Sequence, residues 1–272
     1  MNRLLQAGLL EEMPQGVNFS YVPISTSLQE TEYKILRTVP EGLFVPCIKT
    51  SRNGQPQLYY LTKGLEALPF RMYNLSAEEI KDRLRDLFAH IAAVAGNGFL
   101  RLNALEAHRE KIYVSPEDNH VRLTYVPVRD PVFESEEAFR EALSAQLISM
   151  IKENQLLTKK EKTQLQAFLK KEPKLRMKGE GHFWGPDFTI ETDSFLIGKN
   201  PQEVQGVIEN DSSVSRRHCR ILRYGIGACV QDLGSTNGTY LDGKRLMEGE
   251  VGVLKDGAQL QLGRHTFRVV ME

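Results

Sequence analysis

From about residue 182 onward the helical spacing of apolar residues disappears from this chain. The stretches RILRY, ACVQDL, TYLD, AQLQLG and TFRVV are strand-sized, and Gly, Asn and Asp turns separate them every eight to twelve residues or so. This pattern predicts an all-β sandwich of about ninety residues, spanning 183–272. No internal repeat is present.

The preceding sequence has a different texture and predicts an α+β domain over 1–155. VNFSYVPI and GLFVPCIKTSRNGQPQLYYLTKG carry strand alternation, and Asn53-Gly54 sits where it can close a hairpin. Ser76 and Glu79 have the spacing of a capping box, and Ile80, Leu84, Leu87, Phe88, Ile91 and Val94 then recur at helical spacing until Gly96. Two short strands, KIYVS and HVRLTYVPV, follow around the turn PEDN. Further helices are predicted across SEEAFREALSAQLISMIKEN and from Thr158, where TKKE repeats the capping pattern. Residues 156–182 are lysine-rich and contain Pro173 and two glycines, so they read as a helical segment running into a solvated tether.

Charge excludes several function classes. Lysine plus arginine and aspartate plus glutamate are 35 each, so no global charge draws the chain to nucleic acid or anionic lipid. No apolar run approaches the roughly 20 residues of a membrane span, so no direct membrane insertion is expected. The first residues lack the features of a signal peptide, and Cys47, Cys219 and Cys229 are odd in number with no ligand-like spacing. They read as reduced, buried thiols of a cytoplasmic protein. No metal and no cofactor are expected.

The polar residues of the β segment concentrate in IGKN (197–200), SVSRRHC (213–219) and GSTNGT (234–239), all outside the strand-like stretches. Loops at one end of a sandwich can converge while the sheets stay rigid. Hydroxyls of Ser215 and Thr236, cations on Lys199 and Arg216, and free loop amides together suit a phosphate monoester, which carries about −1.5 to −2 charges and three acceptor oxygens. Asn237 offers a donor and an acceptor, as holding a peptide backbone requires. A Ser-His-Asp triad through Asp232, a zinc site through His218, Cys219 and Cys229, and nucleic-acid contact through Arg216, Arg217, Arg220 and Arg223 are poorer readings. The triad lacks a predicted geometry and the zinc site a fourth ligand, while Arg220 and Arg223 alternate outward along a strand.

The run FLIGKN…VIENDSSVSRRHCRI…VQDLGSTNGTYLDGKRL…LKDGAQLQLG resembles a forkhead-associated domain, a phosphothreonine-peptide reader, from Phe183 to Val270. The resemblance implies an eleven-stranded sandwich with the peptide held across its loops. It implies phosphate contacts from Ser215 and Arg216, framing of the phosphothreonine by Thr236, and a grip on the peptide main chain by Asn237. His218 is implied as a brace of the loops, and Gly198 and Gly238 as tight backbone turns. Where the family places arginine after the first glycine, this chain has Lys199, a flexible point charge in place of a rigid fork, which implies weaker phosphate binding.

Residues 107–128, AHREKIYVSPEDNHVRLTYVPV, resemble the catalytic-loop hairpin of a protein kinase, but Glu110 stands where that loop has aspartate and Tyr125-Val126-Pro127 where D-F-G would be. There is no glycine-rich phosphate loop, and Lys49 reads as an exposed strand lysine. The domain therefore resembles the reduced, pseudokinase-like domains of bacterial (Firmicutes) proteins linked to secretion or pilus assembly. The expectation is a non-enzymatic adaptor with two partners: a phosphothreonine-bearing protein at the sandwich and a second protein at the N-terminal domain. The alternatives are a phosphate-independent assembly protein and a nucleotide-binding, kinase-like enzyme.

Overall fold

The computed structural model describes residues 2–39, 42–181, 185–248 and 250–272. The chain divides into two compact units, residues 1–83 with 97–169, and residues 84–96 with 170–272.

In the first unit, β1 (Leu10–Gln15), β2 (Asn18–Pro23), β3 (Cys47–Arg52) and β4 (Gln55–Tyr60) form an antiparallel sheet in the order β1-β2-β4-β3. Asn53 and Gly54 both adopt positive φ, 52° and 79°, as a two-residue hairpin turn between twisted strands demands. A smaller sheet joins β5 (Glu66–Ala67), β6 (Ile112–Val114) and β7 (Val121–Leu123). β6 and β7 are the predicted hairpin, with Ile112 opposite Leu123. The helices are α1 (Arg3–Gln6), α2 (Glu30–Thr38), α3 (Leu68–Tyr73), α4 (Ala77–Ala95), α5 (Glu136–Glu153) and α6 (Lys159–Phe168). None of the first three is expected from the sequence: α1 and α3 are only four and six residues long, and the amphipathic pattern of α2 is confined to nine residues. The caps at Ser76 and Thr158 form as their spacing predicts: Glu79 accepts the Ser76 N–H at 2.8 Å, and Glu161 accepts that of Thr158 at 2.8 Å. Lys49 does lie on a strand, where it pairs with Glu30 at the surface.

The second unit contains two sheets. One runs β11-β10-β12-β13-β16, from β10 (Ser194–Gly198), β11 (Gly206–Val207), β12 (Cys219–Tyr224), β13 (Gly227–Asp232) and β16 (Val251–Val253). The other runs β15-β14-β17-β18-β8-β9, from β8 (Leu175–Glu180), β9 (Phe188–Ile190), β14 (Thr239–Leu241), β15 (Lys244–Arg245), β17 (Gln259–Leu262) and β18 (His265–Met271). Eleven strands are thus present among the described residues of this unit, and among their strand pairs only β10–β11 is parallel. Ile197, Ile221 and Val230 of one sheet share a core with Met177, Leu260 and Phe267 of the other. Residues 84–96 belong with this unit, and the Phe88 ring stacks 6.1 Å from that of Tyr224.

Two expectations are corrected. First, the helical part of 156–182 forms as α6 (Lys159–Phe168), but the stretch expected after it as a solvated tether contains a strand: 175–180 form β8, which pairs with β18 from Leu175↔Met271 to Glu180↔Thr266. The lysines and glycines of this stretch mask a period-two signal, because Leu175 and Met177 are buried while Lys178 faces out. The expected start of the sandwich at residue 183 lies outside the described residues. Second, Arg223 does not simply face solvent; its guanidinium donates to the carbonyls of Ile190 and Pro173 at 2.7 and 2.8 Å. All three cysteines are free, but only Cys219 and Cys229 are buried, and Cys47 is half-buried.

Candidate functional site

Three loops leave the five-stranded sheet of the second unit: 199–205 after β10, 208–218 before β12, and 233–238 after β13. They are stitched together by backbone. The N–H groups of Lys199 and Asn200 donate to the carbonyls of Ser215 and Arg216 at 3.0 and 3.2 Å, and that of Leu233 donates to His218 O at 3.0 Å. Gly198 permits the close approach of the second loop's Ser215 and Arg216 carbonyls. A Cβ there would lie 2.2 Å from Arg216 O and 3.0 Å from Ser215 O. Its role is therefore close approach, and the expected turn conformation is not what requires it. Gly238 does occupy a left-handed conformation, φ +83°.

His218, fully buried, braces the loops as expected. Its Nδ1 accepts the Ser215 N–H at 3.1 Å, so the ring hydrogen resides on Nε2, which donates to Gly238 O at 3.1 Å. Burial pushes the imidazole below the ordinary histidine range. Asp232, at the end of β13, anchors the third loop: its carboxylate accepts from Ser235 N–H and Oγ at 2.9 and 2.5 Å and from Thr239 Oγ1 at 2.7 Å. Burial acts to raise this carboxyl, but these hydrogen bonds outweigh it and hold the group below the usual carboxylate range.

On this frame the exposed groups converge. Ser215 Oγ accepts the Thr236 N–H at 3.1 Å and lies 3.5 Å from Thr236 Oγ1. A cleft of about 440 Å³ opens here, lined by Lys199 and Glu203 of the first loop, Ser215, Arg216 and Arg217 of the second, and Gly234 and Thr236 of the third. Among the described residues, the side chains of Lys199, Arg216 and Arg217 have no ion-pair or hydrogen-bond partner. Lys199 and Arg216 also border a second cleft of about 430 Å³, with Asn210 and Ser212 beyond them. Asn237 stands beside the group, and its Nδ2 donates to Ser213 O at 2.8 Å. That bond uses one of the amide's two N–H groups and leaves Oδ1 to accept from a ligand N–H.

The structure thus brings together Lys199, Ser215, Arg216 and Thr236, with Asn237 at the margin. It adds three residues that the motif clusters did not single out as ligands. Arg217 lines the cleft with Arg216. Ser213 ties the loops, its N–H donating to Asp211 at 2.6 Å and its Oγ accepting from Arg264 N–H at 3.2 Å. Glu203 contributes a carboxylate, and the turn signal in NPQE (200–203) was the available clue to its fixed position.

Residues 195–263 match the family model of the FHA domain, so the second unit carries an FHA domain. The chain is 33% identical over 86 residues to an oxoglutarate dehydrogenase inhibitor of Corynebacterium jeikeium, covering 32% of this chain and 55% of that protein. It is 40% identical over 63 residues to the FHA domain-containing protein FhaB of Mycobacterium tuberculosis, covering 23% of this chain and 39% of that one. The chain therefore spans about half or less of the length of these curated relatives. The FHA domain of the CT664 protein from Chlamydia trachomatis aligns at a TM-score of 0.33 and 25% identity, covering 36% of this chain and 96% of that structure. No helix among the described residues is long and apolar enough to cross a membrane.

Proposed function

We propose that the FHA domain of this chain binds a phosphothreonine-bearing protein segment through the cleft between its three loops, and that the chain acts as a non-enzymatic adaptor. The observation that carries this reading is the set of three cations without side-chain partners, Lys199, Arg216 and Arg217, around the Ser215 hydroxyl. Three exposed cations that no carboxylate of the described residues neutralises form a local positive field, and a phosphate dianion has the matching charge and acceptors. Ser215 Oγ already accepts from Thr236 N–H, so its own hydrogen is free to point at phosphate. Asn237 Oδ1 supplies the acceptor for a peptide N–H.

The first unit supplies the second docking surface of the adaptor. Its β6–β7 hairpin follows His108-Arg109-Glu110, where a glutamate replaces the aspartate a kinase catalytic loop needs, and Arg109 is paired with Glu153 at 2.6 Å. This favours a reduced kinase-like scaffold over a phosphoryl-transfer enzyme. The resemblance to bacterial proteins of secretion or pilus assembly supports reading it as a cytoplasmic adaptor of such a system. Joining two binding modules in one chain raises the effective concentration of each partner for the other. Titration calorimetry with one peptide in its phosphothreonine and threonine forms tests the central claim. Binding of the phosphorylated form alone is expected, and equal affinity for both would overturn it.

A further inference from the structure

The cleft that gathers three cations also contains one carboxylate, and that carboxylate does not neutralise them. Glu203 forms no ion pair among the described residues; its Oε1 is held instead by Asn200 Nδ2 at 2.5 Å. The loop around it is rigidly specified. Glu203 N–H donates to Asn200 O at 3.0 Å, and Gln202 N–H to Asn200 Oδ1 at 3.2 Å. Pro201 restricts the turn, Val204 is buried, and Gln205 bonds Leu196 through both its backbone N–H and its side-chain oxygen. A long acidic side chain that would otherwise swing in solvent is therefore fixed at the cleft wall, with most of its acceptor capacity unused.

We propose that Glu203 selects the flank of the ligand: the segment bound here carries a lysine or arginine beside its phosphothreonine, and that cation pairs with Glu203 while the phosphate engages Lys199 and Arg216. This rests on the phosphothreonine reading above and adds the charge of the sequence around it. Once a dianion occupies the cationic part of the cleft, an unpaired Glu203 carboxylate beside it is repelled. A basic flank removes that repulsion, and an acidic flank adds to it. Because the pair is exposed to solvent, its contribution is modest, about 1 kcal/mol, or about fivefold in affinity. It is accordingly a selectivity device, and phosphate remains the main source of affinity.

The test uses the full chain and degenerate peptides centred on phosphothreonine, with lysine, alanine or glutamate fixed in turn at each position from four before to four after it. Fluorescence anisotropy is expected to show at least one position where lysine is preferred over glutamate by about fivefold or more. Glu203→Gln, which keeps the acceptor for Asn200, is expected to flatten that preference, and Glu203→Lys to invert it. Salt should weaken the preference, as screening of an exposed pair requires. A lysine-to-glutamate ratio identical in wild type and both variants at every position would overturn the proposal while leaving phosphate reading intact. Equal binding of unphosphorylated counterparts, or no binding by any peptide, would remove the phosphothreonine reading and this inference with it.

Discussion

Ser215 Oγ accepts the backbone N–H of Thr236 at 3.1 Å, across twenty-one positions of sequence. The contact fixes the hydroxyl between two loops and decides which of its hydrogen-bonding functions is spent. The lone pair is used internally. The hydrogen remains available, because 3.5 Å to Thr236 Oγ1 is too long for a firm O–H···O bond.

Ser215→Ala and Arg216→Ala should each weaken binding of a phosphothreonine peptide by tenfold or more, since a hydrogen bond to a charged group contributes about 1.5–3 kcal/mol. Both side chains lie at the surface of the cleft, so the fold should survive. Calorimetry gives the affinity, and an unchanged far-ultraviolet spectrum with a melting temperature within a few degrees separates lost contact from lost structure.

Lys199→Arg should tighten the same interaction by about tenfold. The lysine side chain already lines the cleft without a partner, and a guanidinium in its place can form two parallel bonds to phosphate where an ammonium acts as a point charge. An unchanged dissociation constant would place residue 199 outside the phosphate contact.

Gly198→Ala should impair both stability and binding, although Gly198 itself offers no group to phosphate. Its Cβ would meet the carbonyl of Arg216 at 2.2 Å, and moving that carbonyl away strains the Asn200–Arg216 bond and the neighbouring Lys199–Ser215 bond. Overpacking of this kind costs about 1–3 kcal/mol. Thermal melting and peptide titration of the same variant should show both losses.

His218 should be neutral, with its hydrogen on Nε2, at a pH where an ordinary histidine is half-protonated. Burial lowers its folded-state pKa below the unfolded value of about 6.5. As pH falls below about 6.5 the unfolded chain gains a proton that the folded ring resists, so stability is lost on that side and retained above it. Nitrogen shifts of the imidazole at pH 6 check the tautomer. Denaturant melts of wild type and His218→Gln from pH 7 to pH 5 check the slope, which should be shallower in the variant.

Thr239→Val should cost about 1.5–3 kcal/mol of stability by removing one of the bonds to the buried Asp232 carboxylate without changing side-chain volume much. A fall in denaturation midpoint with an unchanged m-value is the expected result.

Much of this architecture is legible in the sequence. Strands β12, β13, β14, β17 and β18 follow from turn residues at regular intervals, and the caps at Ser76 and Thr158 follow from a serine or threonine three residues ahead of glutamate. Both are local signals. β8 escapes the sequence pattern because its two inward residues, Leu175 and Met177, are too few to stand out from surrounding lysines; pairing with β18 on one side and β9 on the other makes that stretch a strand. α3, only six residues long, likewise depends on what it packs against more than on its own pattern.

The sequence by itself determined which chemistries the second unit carries and the order in which its loops present them, because motif spacing and turn residues act over a few positions. Packing between distant segments brings Arg217 to the cleft, commits one N–H of Asn237 to Ser213, and makes Gly198 a point of close approach. It also decided that Glu203 shares the cleft with Ser215 and Thr236. The reason is the same in each case: these relationships arise from sheet register and loop stitching between residues distant in the chain, and no local pattern records them.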